Sequence, residues 1–263
     1  MENNKKAGTY RYTVLPFQED FAGRVSWFFL GNHLLRCASL HAGELGFGYE
    51  RAKATGHAWV LSRLVVEMRE MPRTGDVYYV DTWVSRVYRQ FTDRLYEIRG
   101  EDGRTFGYAT SIWSLIDYRT RRPLDLQRDG EPSFLASVDG TRTVPVAPPG
   151  RVRVGAAEPV RTVHTYYSDI DINNHVNSIR YIEHILDLLP KETYATHDVR
   201  RIEMAFCNET YCGEDLSFYI AQRAPGAYDV EVRKTGGTPV VRAAVELAPS
   251  TAQRADGKQP TEL

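Results

Sequence analysis

The sequence predicts an α+β fold in which one plan, a helix followed by four alternating strands, occurs twice. The first half has an apolar helical stretch at about residues 24–53 and strands near 59–70, 76–85, 91–98 and 105–117. The second half has a helix near 175–189 and strands near 199–209, 215–223, 228–234 and 238–247. Glycine-containing turns join these strands, as in antiparallel hairpins. Each half is therefore predicted to wrap a curved sheet around its helix.

A segment rich in Pro, Gly and Ser, residues 126–160, separates the two halves. This composition is typical of a connection between domains. We predict a first domain over residues 1–130, a linker over 131–160 and a second domain over 161–263. The two sheets could pair edge to edge, in which case the domains would share one core.

Composition and charge exclude several classes of protein. The 263 residues are 42% hydrophobic and 25% charged, which is the balance of a soluble globular protein. A formal net charge of −1 argues against a general nucleic-acid binder, which needs a basic excess. No stretch approaches the roughly 20 apolar residues of a membrane span, and the first residues contain no apolar signal segment. A cytoplasmic protein without nucleic-acid or membrane partners is expected.

Three cysteines, Cys37, Cys207 and Cys212, form an odd and sparse set that does not suggest a disulfide framework. Cys207 and Cys212 are five residues apart, so on one strand they would face opposite ways and could not bind a single metal. We expect buried thiols that take no part in chemistry.

The most informative motif is a polar cluster just before the second helix. Asp171, Asn173 and His175 occupy alternate positions, so an extended backbone would direct their side chains to one side. Helical spacing of apolar residues begins at Val176 and ends before Pro190. The cluster therefore adjoins a helix N-terminus, where unpaired N–H groups can polarise a substrate carbonyl. This arrangement favours catalysis.

Two simpler interpretations compete with catalysis. The first is a calcium-binding EF-hand loop that starts at Asp169. It is excluded, because the sixth position of such a loop must be Gly and is Asn174 here, and the twelfth must be Glu and is Arg180 here. A helix-capping turn explains Asp171 and Asn173 equally well, since Asp and Asn are preferred caps. Capping does not explain His175.

Superposing the halves identifies where the polar cluster is lost. A gapless superposition pairs Asp20 with Asp171, Ala22 with Asn173, and Arg24 with His175. A second point of comparison is the glycine turn before a long strand. Four residues before each glycine stand Met71 in the first half and Glu209 in the second. Only the half that contains His175 has a carboxylate at this place, so Glu209 is the fourth candidate.

Several separated motifs together resemble the plant and bacterial acyl-acyl-carrier-protein thioesterases over roughly residues 8–248. The motifs are Trp59-Val60-Leu61-Ser62-Arg63, Pro72, Gly75-Asp76, Val80-Asp81-Thr82-Trp83-Val84, Trp113, Thr120-Arg121-Arg122-Pro123 and the stretch from Ser168 to Asn177. The resemblance implies two tandem hotdog domains. It also implies hydrolysis of the thioester that links a fatty acyl chain to the phosphopantetheine arm of acyl carrier protein.

The resemblance assigns the catalytic residues to the second half: Asp171, Asn173, His175 and Glu209. Many plant members have Cys directly after this Glu, whereas this chain has Thr210. A mechanism using a carboxylate and water is therefore favoured over a thiol nucleophile, although Glu209 could either activate the water or attack directly.

In this mechanism, backbone N–H groups near Val176 and Asn177 are expected to bind the oxyanion that develops on the thioester carbonyl. No cofactor or metal is needed for this chemistry.

Acyl selectivity is expected in the first half, whose helix carries Trp27, Phe28, Phe29, Leu30, Leu34 and Leu35. Core packing explains each of these residues as well. Arginines at positions 119, 121 and 122 could steer an acidic carrier protein, but such residues are ordinarily solvated.

Other functions stay open. They are an acyl-CoA thioesterase, a hotdog dehydratase and a non-catalytic acyl-binding module. A homodimer formed through exposed sheet edges is also open.

Overall fold

The computed structural model describes residues 6–155 and 158–250, in which ten strands form one antiparallel sheet. The strands are β1 (Ala7–Thr13), β2 (His57–Met68), β3 (Val77–Val87), β4 (Thr92–Gly100), β5 (Thr105–Asp117), β6 (Arg161–His164), β7 (His197–Phe206), β8 (Asp215–Ala224), β9 (Ala227–Lys234) and β10 (Pro239–Pro249). The helices are α1 (Trp27–Glu44), α2 (Tyr49–Ala54), α3 (Leu126–Asp129), α4 (Pro132–Ala136), α5 (Ser178–Leu186) and α6 (Lys191–Thr196). The predicted α+β class is confirmed.

Within the sheet, the two halves meet at a single pair of strands, β2 and β7. The strand order is β1-β3-β4-β5-β2-β7-β10-β9-β8-β6, so each half contributes five strands in mirrored order. Residues 63–67 of β2 pair with residues 201–205 of β7, and the pairing is centred on Val65 and Glu203. This pairing of β2 with β7, called the seam below, joins the two sheets edge to edge, as the sequence analysis suggested.

The first helical prediction merged two helices into one, and the second was too long. In the first half α1 ends at Glu44, and the chain turns at Gly46, whose φ of +81° is easily adopted only by glycine. A separate helix, α2, follows this turn. In the second half α5 begins after Asn177, whose Oδ1 accepts the N–H of Ile179 at 2.8 Å. The helix start is therefore set by this cap and not by His175.

One apolar core joins the halves, because α1 and α5 pack against each other over the same face of the sheet. The two helices approach closely at Gly31, where a methyl group would lie 2.8 Å from Cδ1 of Ile179. Leu30 and Leu34 of α1 are fully buried, as are Ile179 and Ile182 of α5. The hydrophobic surface of either half is thus covered partly by the other.

On the opposite face of the sheet, the linker crosses close to the seam. The N–H of Gly150 donates to Oε2 of Glu203 at 2.8 Å, and Arg201 donates through Nη2 to the carbonyl of Ala147 at 2.8 Å. Arg201 also forms ion pairs with Glu203 and with Glu67 of the first half. These contacts fasten the linker across the junction.

Removing the Arg201 side chain should destabilise the fold strongly. Arg201 is 8% exposed, and its loss would leave the carboxylates of Glu203 and Glu67 without their cation. We expect Arg201→Ala to lower the free energy of unfolding by about 3 to 5 kcal/mol in urea titrations. The control is Arg161→Ala at an ion pair with Asp187, whose side chains are 40% and 58% exposed, and there the loss should stay under about 1 kcal/mol. Equal losses would contradict this account.

No helix among residues 6–155 and 158–250 has the length and apolar character needed to cross a membrane.

Candidate active site

The polar cluster lies on a tight turn. Ile170 and Val176 form an isolated antiparallel bridge, and the N–H of Asp171 donates to the carbonyl of His175 at 2.9 Å. Oδ1 of Asp171 accepts the N–H of Asn173 at 2.8 Å, and the backbone reverses at Asn174 with a φ of +63°. The extended backbone predicted for this stretch is therefore wrong. Asp171 instead stabilises the turn that presents Asn173 and His175.

The predicted backbone oxyanion site is also wrong. The N–H of Val176 donates to the carbonyl of Thr210 at 2.8 Å, and the N–H of Asn177 donates to the carbonyl of Asp169 at 2.8 Å. Neither group is free to bind a substrate oxygen. The exposed side-chain amide of Asn173, only a few residues away, is a donor that a substrate carbonyl could reach.

Glu209 reaches His175 from the connection between β7 and β8. The bond between Val176 and Thr210 brings this connection beside the turn. Oε2 of Glu209 lies 3.3 Å from Nε2 of His175, and the same oxygen accepts the hydroxyl of Tyr211 at 3.3 Å. The rings of His175 and Tyr211 meet edge to face, with centroids 5.1 Å apart. The structure thus brings the predicted imidazole and carboxylate together.

The first half supplies one further side chain to this site. Arg121, which follows β5, forms an ion pair with Oε1 of Glu209. Neither Arg121 nor Tyr211 was predicted as a site residue from the sequence, where Arg121 belongs to a basic patch. The sequence feature that could have pointed to a role for Arg121 is its place in the Thr120-Arg121-Arg122-Pro123 motif, which is part of the family resemblance.

Burial and the charge of Arg121 favour the neutral form of His175. Burial is the main cause that lowers the pKa of His175 below its ordinary value, and the positive charge of Arg121 lowers it further. The carboxylate of Asp171 opposes this effect. A neutral imidazole at neutral pH is able to accept a proton.

An apolar cavity of about 610 Å³ opens beside this turn and extends into the first half. Exposed residues at its mouth include Ile172, Asn173 and Tyr118, whereas Phe134 and Val84 line its buried part. Of the six apolar residues predicted on the first helix, Leu35 lines the cavity. The other five belong to or pack against the shared core: Trp27, Phe28, Phe29, Leu30 and Leu34.

The corresponding turn in the first half has the same backbone and different chemistry. The N–H of Asp20 donates to the carbonyl of Arg24 at 2.7 Å, as Asp171 does to His175. Arg24 pairs with Asp20 at 2.9 Å and with Asp198 of the second half at 2.5 Å. Met71, at the place of Glu209, is buried. This turn holds the halves together and presents no imidazole.

The cysteine prediction needs correction at two positions. Cys37 is buried as expected, but Cys207 and Cys212 are exposed, because both lie beyond the end of β7 in the connection to β8. Within the described ranges, 6–155 and 158–250, no group of three or more His, Cys, Asp or Glu side chains is placed to hold a metal ion.

Comparisons with known proteins agree with the fold and identify the family of the chain. A family model described as the acyl-ACP thioesterase N-terminal domain matches residues 5–131, and one described as the acyl-ACP thioesterase C-terminal domain matches residues 156–244. Among solved structures, an acyl-ACP thioesterase from Bacteroides thetaiotaomicron superposes with a TM-score of 0.87 and 44% identity. The superposition covers 94% of this chain and 100% of that chain.

Two plant proteins named palmitoyl-acyl carrier protein thioesterase, chloroplastic, are also similar. The one from Gossypium hirsutum is 32% identical over 204 residues, which are 71% of this chain and 47% of that protein. The one from Arabidopsis thaliana is 29% identical over 253 residues, which are 87% of this chain and 61% of that protein. The chain thus spans about half to three-fifths of the length of these relatives. It belongs to the acyl-ACP thioesterase family and consists of two tandem hotdog domains.

Proposed function

We propose that the protein hydrolyses fatty acyl-[acyl-carrier-protein] thioesters to free fatty acid and carrier protein, and so ends fatty acid synthesis. The observation that carries this proposal is the contact between His175 and Glu209 beside the mouth of the apolar cavity. The cavity suits an acyl chain, and the paired acid and base groups suit the attack of water on a carbonyl. The names of the relatives supply acyl carrier protein as the carrier.

In this proposal the acyl chain enters the first half while its thioester stays at the turn of the second half. The first domain then sets acyl selectivity, the second domain performs hydrolysis, and residues 131–160 connect them. The lining of the cavity supports this division, because it draws mostly on α1, α2 and strands of the first half, whereas Ile172 and Asn173 come from the second.

Each catalytic group has a role that its position supports. Asn173 donates its side-chain amide to the carbonyl oxygen, where negative charge develops. Glu209 orients and deprotonates the attacking water, and the neutral imidazole of His175 takes part in proton transfer that ends at the departing thiolate. Asp171 contributes by holding the turn. Direct attack by Glu209 through an anhydride is the second route. Mass spectrometry of enzyme quenched during a single turnover separates the two, because only the anhydride route acylates the Glu209 carboxylate.

The test is turnover of a ladder of acyl-carrier-protein thioesters, with the matching CoA thioesters and 3-hydroxyacyl thioesters in parallel. Release of free acid and free thiol from carrier-protein substrates supports the proposal. Higher kcat/KM on the CoA series would make the protein an acyl-CoA thioesterase. An enoyl product without free thiol would make it a dehydratase, and stable binding without turnover would make it an acyl-binding module.

A second copy of the chain would join through an edge of the sheet. The outermost strands are β1 and β6, and an unpaired strand edge is a common site of association. Light scattering after size exclusion tests for a homodimer.

The cysteines should be dispensable for hydrolysis. Thr210 occupies the place directly after Glu209, and among the described residues the Sγ atoms of Cys207 and Cys212 have only backbone carbonyls, at 3.8 and 3.9 Å, as hydrogen-bond acceptors. A Cys207→Ser, Cys212→Ser double variant should keep most of the wild-type kcat. Complete loss of activity at an unchanged melting temperature would instead indicate a thiol nucleophile.

A further inference from the structure

Two non-glycine residues in the described parts of the chain have a positive φ, and both lie at the proposed site. They are Asn174, with a φ of +63°, and Arg121, with a φ of +59°. Asn often adopts this left-handed conformation, because its short side chain bonds locally, but Arg has no such advantage. A disfavoured backbone at a functional site suggests that the side chain is needed there.

The turn that carries Arg121 is built by Asp117. Oδ1 of Asp117 accepts the N–H groups of Arg119 at 3.1 Å and Thr120 at 2.7 Å, and also the hydroxyl of Thr120 at 2.9 Å. The carbonyl of Asp117 accepts the N–H of Arg121 at 2.9 Å, and its N–H donates to the carbonyl of Arg122 at 2.9 Å. These five bonds fix the backbone, so the direction in which Arg121 leaves it is fixed as well.

The contacts of Glu209 divide its two oxygens between partners. Oε1 pairs with Arg121, whereas Oε2 faces His175 and the hydroxyl of Tyr211. A guanidinium holds a carboxylate in a defined orientation because its donors are rigid and planar. We propose that Arg121, supplied by the first domain, is a positioning residue that holds Glu209 so that its second oxygen faces His175. This inference rests on the proposed hydrolytic function.

The guanidinium also acts on His175 through its charge. The groups that face His175 are Arg121 from the loop after β5, Asp171 on its own turn, and Glu209 and Tyr211 from the connection after β7. After burial, Arg121 is the group that lowers the pKa of His175, and Asp171 raises it. Removing Arg121 must therefore raise this pKa. Because the neutral imidazole is the active form, the acid limb of the pH profile should then move to higher pH.

The experiment compares Arg121→Gly, Arg121→Lys and the control Arg122→Gln. Glycine suits the left-handed backbone, so Arg121→Gly should fold at least as well as the wild type. We expect Arg121→Gly to lower kcat by about 10- to 10²-fold, in the range of a lost positioning contact, and to move the acid limb of kcat/KM upward. Arg121→Lys keeps the charge without the planar fork, so kcat should fall while the acid limb stays. Arg122→Gln removes one charge from the neighbouring exposed residue and should not move the acid limb.

Two further measurements test the role of Arg121 separately from the proposed function: kcat of a double variant and the pKa of His175 by NMR. In a Glu209→Gln background, Arg121→Gly should cause little further loss of kcat, because both changes break one contact. NMR titration of His175 without substrate should show a higher pKa in Arg121→Gly than in the wild type. Wild-type kcat and an unmoved acid limb in Arg121→Gly, or full additivity with Glu209→Gln, would overturn the inference. Failure of the wild type to hydrolyse any thioester would overturn the proposed function, while the NMR titration would still test the contact.

Discussion

Glu209→Gln is expected to lower kcat by about 10²-fold or more with little change in melting temperature. The substitution keeps the shape of the side chain and an acceptor for the hydroxyl of Tyr211, but it removes the group that would deprotonate water. It also removes the charge that pairs with Arg121. Single-turnover kinetics on the preferred acyl-carrier-protein substrate provide the measurement, since they report the chemical step separately from product release.

The matched control lies in the other half of the chain. Asp20→Asn changes the residue that corresponds to Asp171, and it weakens the ion pair with Arg24. Its effect should appear mainly in stability, with hydrolysis retained. If Asp20→Asn abolished hydrolysis and Glu209→Gln left it unchanged, the catalytic half would have been assigned to the wrong domain.

Leu35→Ala is expected to shift the preferred acyl chain toward greater length. Leu35 lines the cavity in the first half, so its truncation adds apolar volume beside the chain. One methylene in an apolar pocket is worth roughly 1 to 3 kcal/mol, and the ratio of kcat/KM between neighbouring chain lengths should therefore change by about 10-fold or more. The measurement is kcat/KM for each member of an acyl-carrier-protein ladder, for both wild type and variant.

The preceding residue on the same helix offers the control. Leu34 is 0% exposed and belongs to the shared core, away from the cavity lining. Leu34→Ala should cost about 2 to 5 kcal/mol of stability while leaving the chain-length profile unchanged. A length shift from Leu34→Ala with none from Leu35→Ala would place the acyl chain elsewhere.

Most of the fold was predictable because alternating strands and a repeated plan leave few arrangements. The strand from residue 105 to residue 117 was predicted with its observed bounds. The break between α1 and α2 was not predicted, because apolar spacing hides a turn that depends on the left-handed φ of Gly46. The start of α5 was misplaced for a similar reason, since the helix begins at Ser178, directly after its capping residue Asn177, and not where the apolar pattern begins.

The part of the site that was predictable is the part in which the two halves of the sequence differ at matching positions. Met71 and Glu209 occupy matching places, and that difference pointed to the carboxylate that lies 3.3 Å from His175. Contacts between segments that are distant in sequence gave no such signal. Arg121 reaches Glu209 from a distant part of the chain, and the N–H of Val176 is occupied by Thr210. In each contact the two residues are far apart in sequence, so the contact itself could not be predicted from a local pattern.

The shared core also bears on how this duplicated protein evolves. A spare copy of a domain is ordinarily free to accumulate substitutions once the other copy does the chemistry. Here that freedom is missing, because Gly31 lies against Ile179 and residues 63–67 complete the sheet of the other half. The half whose turn lacks a histidine is therefore constrained as the scaffold of the half that carries His175. The lining of the cavity includes none of the residues 63–67 or 201–205, so a substitution there can change the substrate range without altering the seam.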